Sequence, residues 1–229
     1  MSNGCVEMKL LDEWLVADPS GALYWPREGV LIASDLHFEK GSSFAAKGQM
    51  LPPYDTRATL KILQNAIERH SPSRVIALGD SFHDGEAGDR IAPDDMAAIQ
   101  SMTQSVMWTW ITGNHDEVLP DGIGGSIENA VSIGPLVFRH EPHDRPADGE
   151  LCGHLHPCAI VRTRNRKLRR RCFVGDGKRL ILPAMGAFTG GLDIAEEPYE
   201  GLFETAPTAW VLGKDKVYTI LPNRLVGVS

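Results

Sequence analysis

The chain has 229 residues, a hydrophobic fraction of 42% and a formal net charge of −7. That length can bury one sizeable core, and the acidic balance argues against a protein that wraps nucleic acid over its whole surface, though a local basic patch is compatible with it. No apolar run approaches the roughly 20 residues that span a bilayer, the stretch "MSNGCVEMKLLDEWLVADPSG" lacks a signal-peptide core, and four cysteines are too few for a disulfide scaffold. A cytoplasmic protein with no membrane partner is expected, folded as a single domain over residues 1–229.

Residues 6–28 predict short strands broken by the turn "DPSG". "GVLIAS" at 29–34 is a continuous apolar run, the mark of a strand buried on both faces. The spacing of Leu60, Leu63, Ala66 and Ile67 predicts a helix over 55–69. "SRVIALGD" at 73–80 is a second buried strand. "APDDMAAIQSMTQ" at 92–104 is a second helix, with Pro93 in its first turn and Asp94 and Asp95 suited to its N-terminus. "VMWTWITGNHD" holds a third strand, and from about residue 127 short strands dominate: "NAVSIG", "LVFRH", "ELCGH", a hairpin around 159–174, "RLILPA", "TAWVLG" and "KVYTIL". Alternating strand and helix in the front half predicts parallel pairing with helical crossovers, and the strand-rich back half predicts a second sheet packed on the first. The expected fold is a layered α/β sandwich.

What ends each strand is the informative pattern. The first runs into Asp35 and His37, the second into Gly79 and Asp80, the third into Gly113, Asn114, His115 and Asp116, the fourth into His140 and the fifth into His154 and His156. Loops converge at the carboxyl edge of such a sheet, and ligands bind there. Two divalent ions roughly 3.5–4 Å apart can clamp a phosphoryl group and lower the pKa of a bridging water. Such a pair needs a shared carboxylate, several imidazoles and an amide or acid oxygen. Asp35, His37, Asp80, Asn114, His140, His154 and His156 supply that set, and its mix of nitrogen and oxygen suits manganese, iron or zinc better than calcium or magnesium. A structural zinc knot made of Cys152, His154, His156 and Cys158 is the competing use of "LCGHLHPC". It would leave Asp35, His37, Asp80 and Asn114 without a purpose.

D-x-H at 35–37, G-D at 79–80, G-N-H-D at 113–116, the lone His140 and G-H-x-H at 153–156, in this order, resemble the calcineurin-like metallophosphoesterase superfamily. The resemblance implies an α/β/β/α sandwich and two metal ions. It implies that Asp35, His37 and His156 hold one ion, that Asn114, His140 and His154 hold the other, and that Asp80 bridges them. It also implies that His115 stabilises or protonates the leaving oxygen while Asp116 orients its ring. Many members carry an acid three residues after the bridging aspartate; here that place is His83, with Asp84 next. Neither is expected as a ligand, and the choice for both lies between supporting the residues that hold the ions and touching substrate, with His83 the expected substrate contact. "SDLHFEKG" and "GDSFHD" are similar to the bacterial ligase-associated DNA damage response endonuclease family (PdeM). That likeness implies manganese-dependent cleavage of phosphodiesters in DNA, and association with a helicase and a DNA ligase.

Other residues carry blander expectations. His70 is a helix-end cation, His143 loop surface, Trp108 and Trp110 core, Glu39 structural, and Cys152 and Cys158 strand-end fillers. Lys40 stands between a solvated turn and a phosphate contact. "VRTRNRKLRRRC" at 161–172 is dense in arginine and holds no acid. Such density just after the G-H-x-H loop suits sequence-blind phosphate contacts, and Arg166, Arg169 and Arg170 are the expected substrate contacts. The function expected is a dinuclear metal-dependent phosphodiesterase acting on DNA. The alternatives are the same site acting on a small phosphoester or nucleotide, and an inactive scaffold, against which stands a complete ligand set.

Overall fold

The computed structural model describes residues 4–162 and 167–225. An antiparallel meander, β1 (Val6–Leu10), β2 (Glu13–Ala17) and β3 (Leu23–Trp25), leads into β4 (Val30–Ala33). From β4 the chain adds β5 (Arg74–Leu78), β6 (Met107–Ile111) and β7 (Ser126–Glu128), each parallel to the last. The β4–β5 crossover carries α1 (Lys40–Ala46) and α2 (Asp55–His70), and the β5–β6 crossover carries α3 (Ala87–Arg90) and α4 (Pro93–Ser105).

Strand period decides which residues face which layer. Leu31, Ala33, Val75, Ala77, Trp108 and Trp110 point to one side and pack against Leu60, Leu63, Ala66 and Ile99 of the helices. Val30, Ile32, Ile76, Leu78 and Ile111 point to the other side and meet Phe138, Leu151, Phe173 and Leu182 of a second sheet. Both faces are buried, so these strands read as unbroken apolar runs, and each fully buried Leu, Ile or Phe contributes on the order of 1.5–3 kcal/mol. Trp108 and Trp110 belong to this core.

The second sheet uses β8 (Ala130–Ile133), β9 (Leu136–Arg139), β10 (Glu150–Cys152), β11 (Pro157–Arg162), β12 (Lys167–Gly175), β13 (Arg179–Ile181), β14 (Leu192–Asp193), β15 (Thr208–Leu212) and β16 (Val217–Ile220). Its order is β14-β11-β12-β13-β10-β9-β8, with β15 pairing β12 and β16 pairing β15. β10 lies parallel to both β9 and β13, which aims its carboxyl end the same way as that of β9. The chain thus forms the layered α/β sandwich with two mixed sheets. The layer outside the second sheet is thinner than a helical one: Ile194, Tyr199 and Leu202, around a 3₁₀ turn at Glu197–Tyr199, cover Cys152, Cys172, Val174 and Ala209. Among the described residues no α-helix follows Ser105, and no helix is long and apolar enough to cross a membrane.

Candidate metal centre

Every loop that carries a predicted ligand leaves the carboxyl end of a strand, and the loops brace one another. Beyond β4, the His37 N–H donates to the Asp80 carbonyl at 2.9 Å and the Phe38 N–H to the Ser81 carbonyl at 2.8 Å, so residues 35–38 follow 79–82 side by side. The Gly153 N–H donates to the His140 carbonyl at 2.9 Å, and the His154 N–H reaches both Asp35 carboxylate oxygens at 3.2 Å. Glycine is required where these loops touch. A Cβ on Gly79 would collide with the His140 ring, and one on Gly153 would collide with Ser34 and Asp35.

The backbone here is strained. Asp35, His37, Asp80, His154 and His156 all have positive φ, between 45° and 66°. For residues with a Cβ this costs on the order of 1–3 kcal/mol each, and such outliers cluster at functional sites. The strain turns successive side chains toward a single point.

The predicted ligands fall into two sets of converging atoms, and His37, His83 and His115 form a third such group beside them. In the first, one donor atom each from Asp35, His37, Asp80 and His156 lies within 4.8 Å of all the others; in the second, Asp80, His140 and His154 do the same. Asp80 belongs to both. Asn114 joins the second set, with its Oδ1 3.1 Å from His140 Nε2. Imidazole nitrogens face one another across each set: His37 Nε2 and His156 Nε2 are 3.2 Å apart, as are His154 Nδ1 and His140 Nε2. Carboxylate oxygens converge there too, with His156 Nε2 3.2 Å from Asp35 and His140 Nε2 3.3 Å from Asp80.

Such a donor set fits divalent ions. The Leu78 carbonyl, 2.9 Å from His140 Nδ1, can only accept, so Nδ1 carries a proton and Nε2 faces the set. Among the described residues, the ion pairs of Asp35 and Asp80 come from histidines alone. Burial lowers His37 to about 3, which keeps it a neutral imidazole with a lone pair to give. Burial also opposes charge on His140, but Asp80 and Asp35 lift it to about 9, so this pocket favours positive charge. Burial would raise Asp35, yet His156, His140 and His37 outweigh it and hold the carboxylate below its usual range.

The remaining predicted residues separate. His115 is exposed; its N–H donates to Asp80 Oδ1 at 3.0 Å, and its Nδ1 lies 2.8 Å from the His83 carbonyl. That carbonyl takes the Nδ1 proton, so Nε2 is the free edge of the ring. Asp116 does not orient that ring, contrary to expectation. It is fully buried and accepts from the N–H groups of Asp80, Ser81, Phe82 and Gly113, at 2.6–3.1 Å, fixing the two loops that present Asp80 and Asn114. His83 stacks on His115 with ring centroids 5.2 Å apart, and its Nδ1 is 3.4 Å from His37 Nδ1. Burial and the nearby Lys40 push His83 down to about 4. Lys40 opens α1, 6.0 Å from the Phe44 ring centroid, and its charge is felt by His37 and His83, which puts it at the rim of the site.

On β12, Arg169 and Arg171 share a face, opposite Ile160 and Cys158, while Arg170 points to the other face. The Arg169 guanidinium donates to the Gly191 carbonyl, and Arg171 donates to the carbonyls of Ala184, Met185 and Gly186. Lys167, Arg169 and Arg170 are exposed; Arg166 lies outside the described residues. The zinc knot does not form. Cys152 is fully buried in the outer cluster of the second sheet, and neither it nor Cys158 falls in a ligand group with His154 or His156.

Two features of the site carried no signal that was read from the sequence. Ser34 Oγ donates to Asp35 Oδ2 at 2.5 Å. Residues 184–191, "AMGAFTGG", lie against Asp35 and His156: the Gly186 N–H donates to the Asp35 carbonyl at 3.0 Å, and the Leu192 N–H to the His156 carbonyl at 3.2 Å. The glycines of that stretch were the available hint.

A model of the calcineurin-like phosphoesterase family matches residues 29–157, more than half of the chain, and includes all the predicted ligands. Among solved structures, the chain is similar to the Pseudomonas putida nuclease MPE, with 26% identity and a TM-score of 0.73 over 95% of this chain and 100% of that one. It is more distantly similar to Yfce, a phosphoesterase from E. coli, with 14% identity and a TM-score of 0.43 over 83% and 97% of the two chains. No curated protein sequence matches.

Proposed function

The chain belongs to the calcineurin-like phosphoesterase family and is a metal-dependent phosphodiesterase; from that premise we propose that its metal is manganese and its substrate the DNA backbone. Asp35, His37, Asp80 and His156 would hold one ion and Asp80, Asn114, His140 and His154 the other. Such ions, when bound, supply Lewis acidity toward the phosphoryl oxygens and an activated water.

The chain's own residues do the rest. Asp80 spans both sets and fixes their spacing. Asp116 holds the Asp80 and Asn114 loops in register through four backbone N–H groups. His115, held at Nδ1 by the His83 carbonyl, presents Nε2 to the substrate side, where in its protonated form it delivers a proton to the leaving oxygen. Lys40, at the rim, offers positive charge to a neighbouring phosphate.

The observation that carries the DNA reading is the placement of the basic hairpin. Arg169 reaches Gly191, next to His156 in space, so the dense cationic strand runs up to the metal centre in a chain whose net charge is −7. Likeness to a nuclease along nearly the whole chain supports the same reading.

The test replaces Lys167, Arg169 and Arg170 with alanine. Arg171 is left in place because it is less exposed and its guanidinium holds the carbonyls of Ala184, Met185 and Gly186, whereas the exposed Arg169 holds the Gly191 carbonyl alone. DNA affinity is expected to weaken about equally at all sequences. The slope of log affinity against log salt is expected to fall by about 0.9 per lost contact on duplex and about 0.7 on single strands. The loss of turnover on DNA is expected to exceed the loss on a small diester, with metal content retained. Unchanged DNA affinity across a salt series would move the small-phosphoester reading ahead.

A further inference from the structure

Residues 183–191 follow β13, and none of them is among the metal-ligand or proton-donor residues named above. Both ends of this loop are tied to the metal centre. On one side the Met185 N–H donates to the Ser34 carbonyl at 2.9 Å and the Gly186 N–H to the Asp35 carbonyl at 3.0 Å. On the other, the Leu192 N–H donates to the His156 carbonyl at 3.2 Å. The loop is thereby tied to the backbone of Asp35 and of His156, two members of one ligand set, while its Ala187 N–H donates to Thr59 Oγ1 of α2 at 3.0 Å.

Phe188 lies midway along this loop. It is 50% exposed and has a φ of 60°. A bulky aromatic residue in the left-handed region is a genuine outlier, and a half-exposed ring recovers little from burial. Glycine would satisfy the backbone, and the loop has glycine at 186, 190 and 191 but not here. Neither packing nor backbone conformation accounts for the residue. The same loop also carries cations: Arg169 is bonded to its Gly191 carbonyl, and Arg171 to its carbonyls at 184–186. Aromatic rings and cationic side chains carried on one surface hold a nucleic-acid strand without regard to sequence.

We propose that Phe188 is a substrate-stacking residue, its ring taking the face of a nucleobase beside the scissile phosphodiester while Arg169 takes a neighbouring phosphate. The inference rests on the nucleic-acid reading above and adds to it the residue that grips the base. It also requires that the base be unstacked from its neighbour where it meets the ring.

The experiment compares the parent with Phe188→Ala, Phe188→Trp and Phe188→Gly in the presence of manganese. The probes are a single-stranded oligonucleotide, an abasic strand of the same length and a small chromogenic diester. Phe188→Ala is expected to lose roughly tenfold in kcat/KM on the oligonucleotide, the value of one stacked base. Phe188→Trp is expected to restore that loss. On the abasic strand the parent is expected to be slower, and the further loss in Phe188→Ala smaller. Phe188→Gly frees the left-handed backbone, so its Tm is expected to rise by a few degrees while its rate on the oligonucleotide falls as in Phe188→Ala. Those opposite signs separate stacking from loop integrity. Equal fractional losses on both strands, or no loss on the oligonucleotide, would overturn the inference alone. A parent that hydrolyses the small diester but neither strand would overturn the nucleic-acid reading itself.

Discussion

Two places in the molecule bury an aspartate against histidine, and they resolve the buried charge in opposite ways. Asp18, fully buried at the end of β2, meets Arg69 Nη1 at 2.6 Å on both oxygens, His70 Nε2 at 2.7 Å and Cys5 Sγ at 3.5 Å. Burial would raise its pKa, but His70 and Arg69 outweigh that and hold it far below the carboxylate range. The cluster brings its own permanent cation, and none of Asp18, Arg69 or His70 has a positive φ. Asp35 and Asp80 are as deeply buried, but among the described residues their ion-pair partners are histidines alone, and the backbone beneath them is strained. Both clusters offer metal-type donors within 4.8 Å of one another. The guanidinium marks the difference: where one sits on the carboxylate, the charge is settled inside the chain, and where imidazoles alone converge, the site is built for a cation from outside.

Substitutions in the two clusters should therefore fail in different ways. The largest effect is expected at Asp80→Asn, which removes the charge shared by both ligand sets. Activity on a diester should fall by more than the 10–100-fold typical of an outer hydrogen-bond partner, and bound metal should be lost with it. His115→Ala comes next and sharpens the distinction between holding an ion and acting on substrate. Metal content should be retained while kcat falls on the order of 10²–10⁴-fold for a poor leaving group, and less for a good one. Equal losses on both would assign His115 to binding instead.

Asp18→Asn should do the reverse. Activity per folded molecule and metal content stay near those of the parent, and stability falls. Losing one partner of a fully buried ion pair costs roughly 3–5 kcal/mol. Arg69 is 38% exposed and can rehydrate, so about 2–3 kcal/mol is expected from chemical denaturation. The same ion pair predicts acid sensitivity. The folded-state pKa of Asp18 lies below its ordinary value of 3.8, so its contribution is fully present above that value and is lost as pH falls below it. A profile of Tm against pH should lose part of its acid limb in Asp18→Asn; an unchanged limb would place the acid sensitivity elsewhere.

Much of this was legible in the sequence because the signals were local. Apolar runs gave most strands of both sheets, though not the exposed β7 or the two-residue β14, and periodicity gave α2 and α4 to within a residue or two. Metal-type residues at strand ends pointed to the donor atoms that converge, since parallel strands deliver their ends to one edge. What stayed hidden depends on contacts far apart in the chain. α1 has no side-chain cap of its own and follows Glu39 at φ 65°; its Gly41 N–H is satisfied instead by the Asp55 carboxylate, 14 residues away. Asp116 stands beside His115 in sequence, which suggested a role at its ring, yet its carboxylate turns inward to four backbone N–H groups. His70, expected to be a bare helix-end cation, is a buried partner of Asp18 through β2 packing that no helical pattern reveals. The left-handed conformation of Phe188 likewise has no signature in residue type.

The most direct test counts metal. Purified parent, Asp80→Asn and Asp18→Asn are loaded with manganese, freed of excess by gel filtration and measured by elemental analysis against protein concentration. The parent and Asp18→Asn are expected to hold close to two ions per chain, and Asp80→Asn to lose both together. Two ions retained in Asp80→Asn, or metal lost from Asp18→Asn while it remains folded, would contradict the assignment of the shared site to Asp80 and of the closed ion pair to Asp18.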